Sequence, residues 1–121
     1  MYNQNKEKNI VKVAEDFIAK NYADDITLDD VSKEVNLSPN YFSRIFKECT
    51  GVNFTDRLLA FRMEKAKQSS KDYSEYSMKD VSYMVGYVDP NYFTKLFKKY
   101  TGITCREYRK KLNERRIMKN A

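Results

Sequence analysis

The chain has 121 residues, of which 41% are apolar and 33% charged, with only three glycines and a formal net charge of +6. That length suits one ordinary domain or two very small ones, and so much charge with so little glycine points to helices rather than to a sheet with its glycine-bearing turns. There is no histidine, and Cys49 and Cys105 stand alone without motif spacing; the commonest general base, a zinc set and a glycine-rich phosphate loop are all lacking, so neither an enzyme nor a cofactor is expected.

The charge is uneven. Residues 1–35 hold five Lys/Arg against eight Asp/Glu, residues 36–94 eight against seven, and residues 95–121 ten against two. A basic end of this kind suits a polyanion such as nucleic acid, or is simply a solvated tail. Two isolated thiols, no signal peptide and no apolar run near the ~20 residues of a membrane span read as a cytoplasmic protein.

Residues 1–7 open the chain as a polar tail or linker remnant. Ile10, Ala14, Phe17 and Ile18, with Val11 and Tyr22 beside them, make an amphipathic stripe that predicts a helix over 6–22. In ITLDDV (26–31), Thr27 is a helix cap with Asp30 three residues on, and Ile26 can staple to Val31. Asn36 suits the left-handed stop of that short helix. In LSPNYF (37–42), Ser38 caps, Pro39 takes the first helical position and Leu37 can staple to Phe42. Phe42, Ile45, Phe46 and Cys49 form the apolar face of this helix, and Gly51 ends it. Residues 53–69 then give the longest uninterrupted helix, roughly 25 Å long, and SKDYSEY (70–76) reads as a loop.

The pattern then returns. YSMKDV (76–81) repeats ITLDDV, with Ser77 and Asp80 in the capping positions. Gly86 replaces Asn36, and Asp89–Pro90 replace Ser38–Pro39 with one extra residue in the turn. PNYFSRIFKECTG (39–51) and PNYFTKLFKKYTG (90–102) are identical at eight of thirteen positions. Phe93, Leu96, Phe97 and Tyr100 repeat the apolar face. TCRE (104–107) is a capping box for a last helix, with Ile103 able to staple to Tyr108. Asp29, Asp30 and Asp80 are first-turn acids favoured by the helix dipole rather than a catalytic pair.

Each unit is therefore a capped short helix, a tight turn and a second capped helix: a helix-turn-helix, present twice. The expected architecture is all-α. A first helix-turn-helix subdomain spans 8–52, a connecting helix 53–70, a second subdomain 71–112, and a basic tail 113–121.

Asn40, Ser43, Arg44 and Lys47 share one face at spacings 0, 3, 4 and 7, and Asn91, Thr94, Lys95 and Lys98 occupy the matching places. Arg44 and Lys95 can donate to a guanine edge, Asn40 and Asn91 can pair with adenine, and Ser43 and Thr94 can bond either way. Lys47, Lys98 and Lys99 lie farther along and suit phosphates, as do the helix N-termini at Thr27, Ser77 and Thr104. Ordinary solvation is the alternative for any one of these residues. A solvated face has no reason to repeat small polar, cation, cation at matched places. Successive major grooves lie ~34–36 Å apart, so two recognition helices on a long connecting helix can serve both. A competing expectation is a basic helical module with an apolar groove for an acidic protein.

NLSPNYFSRIFKECTG, then RMEKAKQ, then KDVSYMVGYVDPNYFTKLFKKYTGITCREYR resemble the DNA-binding domain of AraC-type transcription regulators over about residues 8–112, with the most specific signature between Gly86 and Arg109. The resemblance implies seven helices in two helix-turn-helix, homeodomain-like subdomains. It implies sequence-specific binding to double-stranded promoter DNA, often as an activator touching RNA polymerase. It places base-reading positions at Asn40, Ser43 and Arg44, and at Pro90, Asn91, Thr94 and Lys95. Pro90 brings no donor, and Asn40 stands where some relatives carry an aromatic. The family's last helix usually opens with Pro where this chain has Cys105. Members usually attach this domain to a sensor or a phosphorylation receiver, so an N-terminal sensor or receiver domain is the expected companion.

Overall fold

The structure, a computed structural model, describes residues 4–120. Among them are seven α-helices and no strand: α1 Gln4–Asn21, α2 Leu28–Glu34, α3 Pro39–Thr50, α4 Phe54–Asp72, α5 Met78–Met84, α6 Pro90–Thr101 and α7 Cys105–Asn120. The chain divides into two compact units between Phe61 and Arg62, within α4. Each unit contains one helix-turn-helix, α2–α3 in the first and α5–α6 in the second.

The short helices start where their caps require. Thr27 Oγ1 accepts from the Asp30 N–H at 3.2 Å, and Asp30 Oδ2 accepts from the Thr27 N–H at 2.9 Å. Ser77 and Asp80 form the same reciprocal box at 3.1 Å in both directions. Ser38 Oγ accepts from the Tyr41 N–H at 3.3 Å, and Asp89 Oδ1 from the Asn91 N–H at 3.0 Å. The stops are equally matched. Asn36 (φ 58°) and Gly86 (φ 103°) turn the chain out of α2 and α5, and Gly51 and Gly102 (φ 82° and 84°) end α3 and α6. A left-handed residue frees the chain from the helix without leaving its last carbonyls orphaned: the Gly51 and Gly102 N–H groups donate to Lys47 and Lys98 carbonyls at 2.8 Å.

In the first unit, Ala14 and Ile18 of α1, Val31 of α2, Phe42 and Phe46 of α3, and Phe54 and Leu58 of α4 form one buried cluster. Its centre is aromatic: Phe42 lies 5.5 Å from Phe46, and Phe54 lies 6.3 Å from each. Burying each such ring contributes about 1.5–3 kcal/mol, so three of them carry much of a thin core. The Arg57 guanidinium clasps Glu15 through Nε and Nη2 at 2.9–3.0 Å, fastening α4 to α1. The second unit repeats the plan with Met63 and Ala66 of α4, Val81 and Val85, Phe93 and Phe97 of α6, and Leu112 of α7, all buried. Tyr87 packs on Phe93 at 5.6 Å, and Tyr108 edges onto Phe97 at 5.4 Å.

Four expectations from the sequence change. Residues 70–72 are helical, not loop: Ser70 is wholly buried and its hydroxyl donates to the Ala66 carbonyl at 2.8 Å, so its polarity is satisfied inside the helix. Residues 113–120, read as a tail, continue α7. Their Lys, Leu, Glu, Arg and Met neighbours favour helix, Leu112 is buried, and Arg116 Nη2 donates to the Lys71 carbonyl at 2.7 Å. At the other end α1 begins at Gln4, inside the stretch read as a linker remnant, and the Cys49 thiol lies 3.9 Å from the Glu7 carboxylate. Residues 1–3 and 121 lie outside the described residues. Finally, the last position of each apolar stripe, Cys49 and Tyr100, is exposed. The helix has by then risen past the core. Cys105, in contrast, is buried at the start of α7, and burial pushes its thiol pKa up.

Candidate nucleic-acid interface

Each second helix has a buried back and a polar front. Phe42, Ile45 and Phe46 hold α3 in the first unit, and Phe93 and Phe97 hold α6 in the second. On the front of α3, Asn40, Ser43, Arg44 and Lys47 line one open recess with Glu48. Asn40, Arg44 and Lys47 are exposed and Ser43 is half-buried. The four α3 side chains predicted to read or touch DNA are thus brought together, while Thr27 is not among the residues of this recess.

The front of α6 is presented in the same way but is chemically different. Asn91, Thr94, Lys95, Lys98 and Lys99 are all exposed. Pro90 takes the first helical position and is half-buried; its carbonyl accepts from the Thr94 hydroxyl at 2.8 Å. That bond uses the hydroxyl's one proton, and the Thr94 side chain also lies within hydrogen-bond reach of the buried Cys105 thiol at the start of α7. The Asn91 backbone N–H donates to Asp89 Oδ1, and the residue as a whole is exposed.

At Thr27 and Ser77 the hydroxyls and their own N–H groups belong to the capping boxes. The next two amides of α2 and α5 lack intrahelical acceptors by helix geometry and remain open to an anion. They share their helix ends with Asp30 and Asp80. The Thr27 N–H and then its hydroxyl hold the Asp30 carboxyl below its usual pKa, so that end already carries a negative charge. Thr104 accepts from the Glu107 N–H at 3.0 Å, capping α7.

Two neighbours of Arg44 escaped the sequence reading. Its guanidinium lies 5.2 Å over the Tyr41 ring, and its Nε is 4.0 Å from Glu48. The spacings i, i+3 for Tyr41–Arg44 and i, i+4 for Arg44–Glu48 are the signals that could have shown both. At the position of Glu48 the second unit has Lys99, so the two fronts differ by two charges at this place. Tyr92, the counterpart of Tyr41, is also exposed and leans its ring edge on Tyr87 at 6.2 Å. Tyr87 in turn lies under the Arg62 guanidinium at 5.2 Å.

Among the described residues, no cluster of His, Cys, Asp or Glu could hold a metal ion, and no helix is long and apolar enough to cross a membrane.

Comparison with known proteins bears on the fold and the family. Residues 31–111 match the helix-turn-helix domain family. The chain is 37% identical over 95 residues to YijO, an uncharacterized HTH-type transcriptional regulator of Escherichia coli K12, covering 78% of this chain and 33% of YijO. Two solved structures are similar. One is the C-terminal domain of AraT, a response regulator from Geobacillus stearothermophilus, at 35% identity and TM-score 0.80 over 84% of each chain. The other is the C-terminal domain of the two-component response regulator yesN from Fusobacterium nucleatum, at 38% identity and TM-score 0.77, over 84% of this chain and 98% of that one. The chain spans about a third of the length of the first relatives it matches. Those relatives are regulators of transcription rather than enzymes. With two helix-turn-helix units, matched polar fronts and these similarities, the chain belongs to the AraC-type family of DNA-binding transcription regulators.

Proposed function

We propose that α3 and α6 enter two successive major grooves of one promoter duplex and read it together. The observation that carries this reading is the pair of matched fronts: the same small polar and cationic side chains, at the same helical places, over the same buried phenylalanines. In the first groove Asn40, Ser43 and Arg44 read base edges, with Arg44 forking onto a guanine. In the second, Asn91, Thr94 and Lys95 do so, while Pro90 contributes shape rather than a hydrogen bond. Lys47, Lys98 and Lys99 hold phosphates, and the α2, α5 and α7 N-termini at Thr27, Ser77 and Thr104 position the backbone.

Successive major grooves lie ~34–36 Å apart, and in this proposal each of the two units, which meet within α4, serves one of them. Any mismatch in spacing is met by bending the DNA, at a few kcal/mol. The regulatory sense we propose is activation through RNA polymerase, in the cytoplasm. The chain acts there as the output domain of a longer regulator carrying a receiver or sensor, in keeping with its likeness to response-regulator C-terminal domains. A protein-binding groove is less well supported, because Phe42, Phe46, Phe54, Phe93 and Phe97 are spent in the cores.

Selecting bound sequences from a random duplex pool tests the proposal. Two motifs about one helical turn apart are expected. Recovery of no consensus, with equal affinity for all duplexes, would overturn it.

A further inference from the structure

Val88 is the most exposed large apolar side chain among the described residues, at 92%. Its place in the turn explains why the fold has no use for it. In the first unit the residue before the cap, Leu37, donates its N–H to the Ser32 carbonyl at 2.9 Å and packs its side chain against the core. In the second unit Tyr87 takes over both duties: its N–H donates to the Ser82 carbonyl at 2.9 Å, and its ring packs on Phe93. The extra residue of the second turn is therefore Val88, standing between Tyr87 and the cap Asp89. The hydrophobic staple that a residue at this position ordinarily makes is already made by its neighbour.

The turn around Val88 is well held. Tyr87 is fixed between Arg62, Phe93 and Tyr92, and Asp89 is fixed by the Asn91 N–H. A branched apolar group is thus presented beside the N-terminal end of α6, next to Pro90 and Asn91. That is the end of a recognition helix that meets base edges. The apolar feature the major groove offers is the C5 methyl of thymine.

We infer that Val88 is a specificity-determining residue that packs on a thymine methyl at the margin of the site read by α6. The inference rests on the proposed entry of α6 into the major groove. It gives the second unit a contact that the first unit cannot make, since the first has no residue at this place. It also explains why the apolar side chain is kept in water when the DNA is absent: contact with the methyl removes both surfaces from solvent.

The test is a double-mutant cycle on a selected site. Each thymine of the α6 half is replaced in turn by deoxyuridine, which deletes only the methyl, and binding is measured for the wild type, Val88→Ala and Val88→Ser. At one thymine, the wild type should lose about three- to fivefold in affinity, the worth of one buried methyl group. Val88→Ala and Val88→Ser should lose a similar factor on the thymine site and be indifferent to the replacement. Unchanged thermal midpoints will show that the variants fold. Losses that simply add, or no loss at any thymine, overturn the assignment of Val88. If Lys95→Ala still relaxes specificity in the same half-site, the groove-reading proposal survives that failure. If neither Lys95→Ala nor any base change in that half alters binding, α6 does not read DNA and both ideas fall together.

Discussion

Arg44 and Glu48 offer a pair of substitutions whose effects should run in opposite directions. The Arg44 side chain is 65% exposed and that of Glu48 55%, with 4.0 Å between them. An ion pair this exposed is worth about 0–1 kcal/mol, so on the proposed reading Arg44 gives up little by turning from Glu48 to a guanine. A bidentate pair there would be worth about 1–3 kcal/mol of discrimination, so the proposal predicts that Arg44→Ala weakens binding to the selected site about five- to 150-fold. Glu48→Gln removes a negative charge from the same front. Against a phosphate about 10 Å away, that charge costs about 0.4 kcal/mol in water before screening, and the Debye length of about 8 Å at physiological salt removes most of it. Glu48→Gln should therefore tighten binding about twofold in dilute buffer and hardly at all at physiological salt. Neither change should move stability by more than about 0.5 kcal/mol. Fluorescence anisotropy with the selected duplex and a scrambled one, at several salt concentrations, measures the binding changes, and urea unfolding measures the stability. Equal loss on both duplexes for Arg44→Ala would make it a phosphate contact, and weaker binding by Glu48→Gln would make the carboxylate a reader of bases rather than a repulsive neighbour.

Other expectations are more local. Lys98→Ala should weaken binding alike on selected and scrambled duplexes and lower the slope of log affinity against log salt by about one, measured by titration over a salt series. Phe46→Ala, at a fully buried position among Phe42 and Phe54, should cost about 3–5 kcal/mol, read from urea unfolding. Asp30 is held below its usual pKa by Thr27. Its contribution to stability is present above the unfolded value and is lost as pH falls through the folded one. Thermal midpoints taken from pH 5 downward should fall less steeply below about pH 4 in Asp30→Asn than in the wild type.

Much of the fold could be read because its signals are local. Thr27 with Asp30, Ser77 with Asp80, and Asn36, Gly51, Gly86 and Gly102 at the stops act within a few residues of themselves, so their spacing alone marks the helix ends. Ser70 was misread because its polarity argues for a loop, whereas its burial and its bond to Ala66 depend on packing that composition does not show. The continuation of α7 was missed for a related reason: a run of Lys and Arg reads as solvated charge, yet it has good helix propensity, and Arg116 ties it to the end of α4. The polar fronts were visible through the repeat, which picks out Asn40, Ser43 and Arg44 beside Asn91, Thr94 and Lys95. The same emphasis on likeness hid the differences. Glu48 against Lys99, and the extra Val88, are places where the two copies disagree, and only exposure and neighbours give those disagreements a physical meaning.

The claim that both units bind the same duplex at once is tested most directly by changing the spacing of a selected site. Inserting five base pairs between its two halves rotates one half by about half a helical turn relative to the other. If α3 and α6 act together, affinity should fall to that of a duplex carrying one half alone. Unchanged affinity after the insertion would contradict the account, because two units on one connecting helix could not then be reading both halves.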